Sequence, residues 1–469
     1  MKLFNIDEPE LEFGGAQSHI DIRFGLRDYG PLDILTAQSP KTIRLGIVGT
    51  SESSEGFSAW LGRCQLGIEA KSSRQPHLFP PFPSVNGRTP FNCELLVDAA
   101  MTRTLARTAL LKLGAIVSIE ERIKQAVQLF LAEIEYICDK TKPDVIVCAF
   151  PEELISILDD ENQSTPYDFH DLLKAVAMPL RVPLQVVLPS LYDPSKAKKF
   201  RRSGRARTLQ DEATRAWNIY CAIYYKAGGT PWRLKRQSSA LDTCFVGISF
   251  YRSLDRSSLS TSIAQVFNER GEGVVIRGGP ATFLKEDRQP HLAEEDAFQL
   301  LVNALRLYKK EHQNLPARVV IHKSSSFSEG ERTGFEQALA DADIAMHDFL
   351  HLRPSDIRLY RDGVYPPLRG TALQLTNDEF VLYTKGSVPF FETYPGMYVP
   401  RPVSIKIAAG DQTPLAHAKE VLALTKMNWN STQFDGGMPL TLTAASSVGK
   451  VLKHCQENQR IEPRYSFYM

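Results

Sequence analysis

Two buried-strand patterns separated by a long helical pattern constrain the fold of this chain more than any other feature. The stretches TIRLGIVGT (42–50) and PDVIVCAF (143–150) are rich in apolar residues, which is typical of buried strands. Between them, Ser118 begins S-I-E-E, a capping-box pattern, and apolar residues recur at helical spacing to about Cys138. Strand, helix and strand in this order predict a parallel α/β domain.

The alternation of helix and strand continues to about residue 235. A helix is predicted from Thr165, as N-cap, to near Pro179, because the residue before a proline is disfavoured in a helix. The strand VPLQVVLPS (182–190) follows it. The next helix, within TLQDEATRAWNIYCAIYYKAGG (208–229), has acids in its first turn and a glycine pair after its end. These residues predict one doubly wound domain.

A second α/β unit is predicted to begin near residue 236. Its first strand lies in DTCFVGISFYRS (242–253), and a hairpin with a glycine-rich turn follows. A helix is expected over about 291–311, then a strand at 317–323 and a helix at 328–342. Antiparallel strands followed by β-α-β describe a mixed sheet, as in ribonuclease H folds.

Composition narrows the class of protein. The 469 residues are 43% hydrophobic and carry a net charge of +1, which argues against a general nucleic-acid binder. We expect no transmembrane helix and no signal peptide. The seven cysteines form no C-x-x-C pair, so neither a zinc site nor a disulfide framework is predicted, and a reducing, cytoplasmic location is favoured.

One stretch is strongly basic: SKAKKFRRSGRAR (195–207) is either a solvated loop or a patch that contacts phosphates.

Four hydrogen-bond donors are candidates for a shared anion site. His170 and Lys174 are four residues apart and therefore share one helix face. Gln185 lies in the strand that follows, and Lys226 ends the next helix. An imidazole, an amide and two ammonium groups together suit a doubly charged oxyanion such as a terminal phosphate. Taken singly, each has an ordinary alternative, such as an exposed edge-strand amide or a lysine that complements a helix dipole.

The order His-x-x-x-Lys, Gln in a strand and Lys before AGG resembles the guide-binding MID domain of Argonaute proteins. The stretches ATRAWNIYCAIYYKAGGTPWRL (213–234) and TKMNWNSTQFDGGMPLTLTAASSVGKVL (425–452) resemble short prokaryotic Argonautes, which contain only MID and PIWI domains. The resemblance covers about residues 40–469. It implies a Rossmann-like MID domain and a ribonuclease H-like PIWI domain. The predicted divisions are an N-terminal segment at 1–40, MID at 41–235 and PIWI at 236–469.

The resemblance also implies the site. His170, Lys174, Gln185 and Lys226 would hold the 5′-phosphate of a guide strand. The C-terminal carboxylate of Met469 would help to bind a structural Mg²⁺ at that phosphate. Five basic residues outside this set are predicted to make further contacts with nucleic acid: Lys196, Arg201, Arg202, Lys426 and Lys450. Of these, Lys196 or Arg201 could also join the phosphate site or replace one of its members.

Two positions argue against nuclease activity. Active Argonautes carry an Asp where this chain has Ser249, in VGIS, and a second Asp near Ser324, in VVIHKSSSFSEG. Serine is a poor magnesium ligand, and the neighbouring Lys323 would repel the ion. We therefore expect an inactive catalytic site. The rival interpretation is a nuclease that uses other carboxylates, namely Glu269, Glu272 and Asp435.

The resemblance thus implies a guide-binding subunit. It would load a 5′-phosphorylated guide RNA and recognise complementary single-stranded DNA. Short Argonautes of this kind work with a partner that carries an APAZ domain fused to a sirtuin-like or TIR effector, which destroys NAD⁺. A small-ligand α/β binding protein is a weaker alternative, suggested by the glycine turn in GIVGT.

Overall fold

The computed structural model describes most of the chain. The described residues are 1–85, 87–159, 163–196, 209–235, 241–267, 273–396, 398–410, 412–434, 436–456 and 459–469, without the side chains of 263–267. The strands are β1 (Lys2–Asn5), β2 (Leu11–Glu12), β3 (Ser18–His19), β4 (Thr42–Gly49), β5 (Glu94–Thr104), β6 (Val145–Ala149), β7 (Leu184–Val187), β8 (Arg233–Leu234), β9 (Thr243–Arg252), β10 (Leu259–Phe267), β11 (Gly273–Pro280), β12 (Thr282–Phe283), β13 (Pro290–His291), β14 (Arg318–Lys323), β15 (Met346–Pro354), β16 (Thr371–Gln374), β17 (Glu379–Leu382) and β18 (Val403–Ala409). The helices are α1 (Ile22–Tyr29), α2 (Ser51–Leu66), α3 (Arg107–Leu113), α4 (Ile119–Lys140), α5 (Glu152–Ile157), α6 (Phe169–Ala177), α7 (Glu212–Lys226), α8 (Glu294–His312), α9 (Glu329–Asp341), α10 (Pro414–Leu424) and α11 (Leu440–Leu452).

The first sheet has four parallel strands in the order β5-β4-β6-β7, as the alternation of strands and helices predicted. Apolar side chains of α2 and α7 cover one face, and those of α3 to α6 cover the other. Because both faces are covered, β6 and the second half of β4, from Leu45, are apolar and buried. Strand β7 lies at the edge of this sheet, and its residue Gln185 is half-buried.

The start of α6 differs from the prediction. Asp168, and not Thr165, is the N-cap, since its Oδ1 accepts a hydrogen bond from the backbone N–H of Asp171 at 3.1 Å. Thr165 instead accepts from the backbone N–H of Tyr167 at 3.2 Å, within the preceding turn. The carboxylate is the stronger cap here because its negative charge also meets the positive end of the helix dipole.

The second sheet has nine strands in the order β1-β16-β17-β18-β15-β14-β9-β10-β11. The strands β9 to β11 are antiparallel neighbours, whereas β9, β14 and β15 run parallel. This is the mixed sheet expected from the sequence. Helices α8 and α9 pack on one face, and α11 crosses β9 and β10 on the other. The crossing is so close that a Cβ added to Gly247 would lie 2.2 Å from the carbonyl oxygen of Thr441.

The two sheets share an apolar core that runs between the domains. It contains side chains of α7 and α11 and of the last residues of the chain, such as Trp217, Val448 and Tyr468. The strand β1 joins the edge of the second sheet, so the N-terminal segment bridges both units. The boundaries drawn at residues 40 and 235 stay predictions. Within the described residues, no helix combines the length and the apolar character needed to span a membrane.

Candidate nucleic-acid interface

Helix α6 carries the first two predicted ligands on one face. His170 lies in its first turn and is half-buried, and Lys174 lies one turn later with its side chain enclosed. The imidazole Nδ1 is 3.1 Å from Asp171 Oδ1. Burial, and then the nearby Lys174, lower the pKa of His170, so the ring is neutral at pH 7.

Gln185 and Lys226 meet where β7 faces the end of α7. The Lys226 ammonium donates a hydrogen bond to Gln185 Oε1 at 3.1 Å and to the Tyr225 hydroxyl at 3.0 Å. The tyrosine hydroxyl in turn donates to Asn430 Oδ1 at 2.8 Å. The amide that interrupts the apolar strand β7 thus orients a buried ammonium group.

The final residues close the site from the second domain. The Lys174 ammonium donates to the main-chain oxygen of Tyr468 at 3.2 Å and of Met469 at 2.6 Å. A short 3₁₀ turn, Tyr465–Phe467, packs beside α7 and holds these residues in place. We refer to His170, Lys174, Gln185, Lys226 and the Met469 oxygen as the lysine pocket.

The lysine pocket contains two buried lysines without an Asp or Glu partner among the described residues. Lys174 and Lys226 are each 3% exposed, and no described Asp or Glu side chain lies within 4.0 Å of either ammonium. Burial lowers the pKa of Lys174 to about 7, although Asp171 and Asp168 oppose this from a distance. Burial, and then repulsion from Lys174, place the pKa of Lys226 well below its usual value. The oxygen of the terminal Met469 contacts only Lys174 of these two lysines, so the pocket can take a further anion.

Acidic groups lie at the rim of the pocket. One ligand atom each of Asp168, His170 and Asp171 lies within 4.8 Å of the others. Both aspartates already have structural bonds, Asp168 as the cap of α6 and Asp171 with His170. The predicted magnesium ligand, Met469, instead offers its oxygen inside the pocket, beside Lys174. Mg²⁺ prefers oxygen ligands and retains waters and phosphates, so a single protein oxygen fits the ion only when a phosphate supplies further ligands.

Two of the predicted additional contacts are already paired. Lys196 forms ion pairs with Glu52 and, at 3.4 Å, with Glu152. Lys426 is enclosed, and its ammonium lies 3.2 Å from Glu8 Oε1. The sequence-based assignment of Lys426 as a backbone contact therefore needs correction: in this fold the side chain ties the N-terminal segment to the second domain.

The remaining predicted contacts divide by position. Lys450 is exposed in the last turn of α11 and stays a candidate contact. Arg201 and Arg202 lie outside the described residues, as do the rival carboxylates Glu269, Glu272 and Asp435.

The two predicted catalytic positions lie side by side. Ser249 is in β9 and Ser324 directly follows β14, the parallel neighbour of β9. The backbone N–H of Ser324 donates a hydrogen bond to the carbonyl oxygen of Ile248 at 3.2 Å, which holds the end of β14 beside β9. The adjacent Lys323 is buried and bonded to Glu331 at 2.7 Å. Carboxylates in place of the two serines would converge, whereas the serines offer only neutral oxygens.

Sequence reasoning missed Tyr225 and Asn430 as members of the site. Both support Lys226, the tyrosine directly and the asparagine through it. A signal was present: a tyrosine precedes Lys226, and Asn430 lies in the polar stretch NWNSTQ. That stretch was also open to the interpretation of an ordinary structural loop, and only the packing of α7 against it distinguishes the two.

Comparisons with known proteins place the fold. No family model matches the chain, and no curated protein does. The structure of Clostridium butyricum Argonaute bound to a guide DNA (5′ deoxycytidine) and a 19-mer target DNA matches with a TM-score of 0.67 and 16% identity, covering 100% of this chain and 55% of that one. Aa-Ago with externally bound siRNA matches at 0.62 and 13%, covering 99% and 56%. A. aeolicus Argonaute matches with a TM-score of 0.56 and 14% identity, covering 98% of this chain and 54% of that one.

The chain spans about half the length of these structures, and its own fold is Argonaute-like, with a MID-like domain followed by a PIWI-like domain.

Proposed function

We propose that this chain is a guide-binding subunit that holds the 5′-phosphate of a guide strand in the lysine pocket. The observation that carries the proposal is the pair of buried lysines that have no described Asp or Glu partner, of which only Lys174 reaches the oxygen of the terminal Met469. A phosphate dianion would satisfy both charges at once, and Gln185 would add a neutral donor if its amide turned toward the phosphate.

The pocket and the fold together support a nucleic-acid ligand. The three Argonaute structures with this fold include one bound to guide and target DNA and one with siRNA. We propose a 5′-phosphorylated guide RNA that pairs with complementary single-stranded DNA, so that base pairing supplies sequence specificity. We propose that Mg²⁺ joins the Met469 oxygen and the phosphate, where it would neutralise charge on the bound guide end.

We further propose that the chain does not cut its target. Two-metal cleavage needs several carboxylates around the ions, and Ser249 and Ser324 occupy two of the expected positions. The response to a target would then come from a partner with an APAZ domain and a sirtuin-like or TIR effector that depletes NAD⁺, in the cytoplasm of a prokaryotic host. The resemblance of the sequence to short Argonautes supports this part of the proposal.

The phosphate assignment is tested with guide RNAs that differ only in a 5′-phosphate or a 5′-hydroxyl. Wild-type protein should prefer the phosphorylated guide by roughly 100-fold, because hydrogen bonds to charged groups contribute about 1.5–3 kcal/mol each. The double variant Lys174→Met/Lys226→Met should bind both guides equally in a filter-binding assay. Lys450→Met, which removes an exposed lysine, is the matched control. A preference that survives in the double variant would contradict the assignment.

The rival function is cleavage by unrecognised carboxylates. Guide-loaded protein should leave a labelled DNA target intact in Mg²⁺ or Mn²⁺ over hours, with an active Argonaute as the positive control. Cleaved target that disappears in Glu269→Gln/Glu272→Gln would establish the nuclease instead.

A further inference from the structure

A cavity of about 600 Å³ lies beside the first sheet. Its lining comes from the residues around the starts of β4 and β5, the end of α2, the loop 87–93 and the middle of α7. None of the groups that form the lysine pocket belongs to this lining. The volume is within the range of about 300–1,000 Å³ that small-molecule sites occupy. The cavity is therefore a separate candidate site.

Two hydroxyl groups of the lining are buried and unpaired. Tyr220 and Thr89 are 1% and 6% exposed. Neither hydroxyl has a hydrogen-bond partner among the described residues. Burial raises the pKa of Tyr220, so its hydroxyl keeps its proton and can donate. Because buried hydroxyls usually find a partner, two unpaired hydroxyls in one lining indicate that a ligand supplies the acceptors.

The exposed part of the lining carries charge. Lys41 and Arg88 are exposed, and no described Asp or Glu side chain lies within 4.0 Å of either cation. Lys41 donates to the carbonyl oxygen of Ile34 at 2.9 Å, and Arg88 donates to Asn92 Oδ1 at 3.3 Å. The exposed Glu94 belongs to the same lining and has no described cation within 4.0 Å. These charges suit a ligand with one anionic end and hydroxyl groups better than a polyanion, which Glu94 would repel.

The walls that carry the two hydroxyls are held in place. The backbone N–H of Asn92 donates to the carbonyl oxygen of Thr89 at 2.9 Å, which closes a turn. The Tyr220 ring packs against those of Phe82 and Phe91, at centroid distances of 4.9 and 6.3 Å. A cavity whose walls are fixed before the ligand arrives loses less conformational entropy on binding.

We propose that this cavity binds a small polyol that carries one phosphate or carboxylate group. The anionic group would meet Lys41 and Arg88. The Thr89 and Tyr220 hydroxyls would donate to ligand oxygens, and Glu94 would accept a hydrogen bond from a ligand hydroxyl. The two sources of the anionic group, a phosphate monoester and a carboxylate, share this chemistry. The proposal is independent of the proposed function, because it uses no residue of the lysine pocket.

Calorimetry tests the class of ligand. Glucose 6-phosphate, gluconate, glucose and inorganic phosphate are titrated separately into the full chain with Lys174→Met/Lys226→Met, which removes the other anion site. At least one of the two organic anions should bind about tenfold more tightly than both glucose and inorganic phosphate, because only an organic anion engages the cations and the hydroxyls together. Should neither organic anion exceed both comparators, the proposal is overturned, whatever the result for the guide. If the double variant fails to fold, the wild-type chain takes its place.

Variants then locate the ligand. Lys41→Met and Arg88→Met should each weaken binding of the preferred organic anion about tenfold, and Tyr220→Phe about fivefold. Tyr220→Phe should keep its melting temperature, because its hydroxyl has no described partner to lose. Tyr465→Phe is its matched control, since the Tyr465 hydroxyl is also buried and unpaired but lies outside this cavity. Lys140→Met, at an exposed lysine outside the lining, is the control for the cations. Equal affinity in the parent chain and in all folded cavity variants would overturn the location.

Discussion

Two pairs of buried lysines in this molecule have similar exposure and opposite surroundings. Lys174 and Lys226 are 3% exposed in the lysine pocket, and Lys323 and Lys426 are 0% and 4% exposed in the second domain. The Lys323 ammonium lies 2.7 Å from Glu331, and that of Lys426 lies 3.2 Å from Glu8. Among the described residues the first pair has no Asp or Glu partner: Lys226 donates to the Gln185 amide and the Tyr225 hydroxyl, and Lys174 to the main-chain oxygens of Tyr468 and of the terminal Met469.

The difference shows which lysines are structural. Burial lowers the pKa of Lys323 and Lys426 to about 8, and their carboxylate partners limit the fall. In the lysine pocket the pKa of Lys174 falls to about 7, and that of Lys226 well below its usual value. A protein that only needed stability would pair or remove such charges. Two lysines buried together at a domain junction without an Asp or Glu partner are therefore the feature that points to a ligand.

The largest expected effect is on the free energy of unfolding, which should change in opposite directions when a lysine of each pair is replaced. Lys323→Met should reduce the free energy of unfolding by about 3–5 kcal/mol, because it leaves the buried Glu331 without its cation. Lys226→Met should instead raise it by about 1–3 kcal/mol, because a buried lysine without a carboxylate partner becomes an apolar side chain. Urea unfolding of the ligand-free variants measures both values.

A compensating substitution checks the cause of the first change. Lys323→Met/Glu331→Gln should regain part of the lost stability, because neither buried charge remains. Equal destabilisation by Lys323→Met and Lys226→Met would show that pairing does not distinguish the two regions.

The pH dependence of guide binding sharpens the comparison. Lys174 has a pKa of about 7 in the free protein, set first by burial and opposed by Asp171, Asp168 and Cys148. A phosphate dianion favours the charged lysine, so binding takes up a proton at higher pH. Affinity for a 5′-phosphorylated guide should therefore fall above pH 7, by up to about tenfold per pH unit for one proton. Fluorescence anisotropy would measure it, with a 5′-hydroxyl guide as the flat control. A pH-independent preference for 5′-phosphate between about pH 7 and 9 would contradict this assignment.

The smallest expected effect concerns Mg²⁺. Removing the ion with EDTA should weaken binding of the phosphorylated guide roughly fivefold, in line with about 1 kcal/mol for a solvated charge pair near 4 Å. Binding to the 5′-hydroxyl guide should change less at constant ionic strength. An equal change for both guides would mean that the ion acts through general screening rather than at the Met469 oxygen.

Much of the fold was predictable because the relevant signals are local. The apolar runs of β4 and β6, the Ser118 cap of α4 and the glycine pair after α7 each specify an element through nearby residues. The cap of α6 was misplaced at Thr165 because several adjacent residues carry similar N-terminal signals, and only the backbone geometry selects among them.

The site was predictable in part. His170, Lys174, Gln185 and Lys226 were selected from spacing and resemblance, and the structure brings Lys226 to Gln185 and the last residues to Lys174. The burial of Lys426 against Glu8 could not be inferred, since it depends on contacts between residues far apart in the chain. The cavity beside Tyr220 was not predicted for the same reason.

The sequence by itself determined the α/β class and the order of the main elements of the first domain, because hydrophobic periodicity is a local property, whereas the four donors were selected with the help of a resemblance and stay predictions. Only the tertiary structure decided which lysines have carboxylate partners, where the final residues lie and which donors remain unpaired. These properties depend on distances across a domain junction, where burial and Coulomb interactions are set by residues hundreds of positions apart.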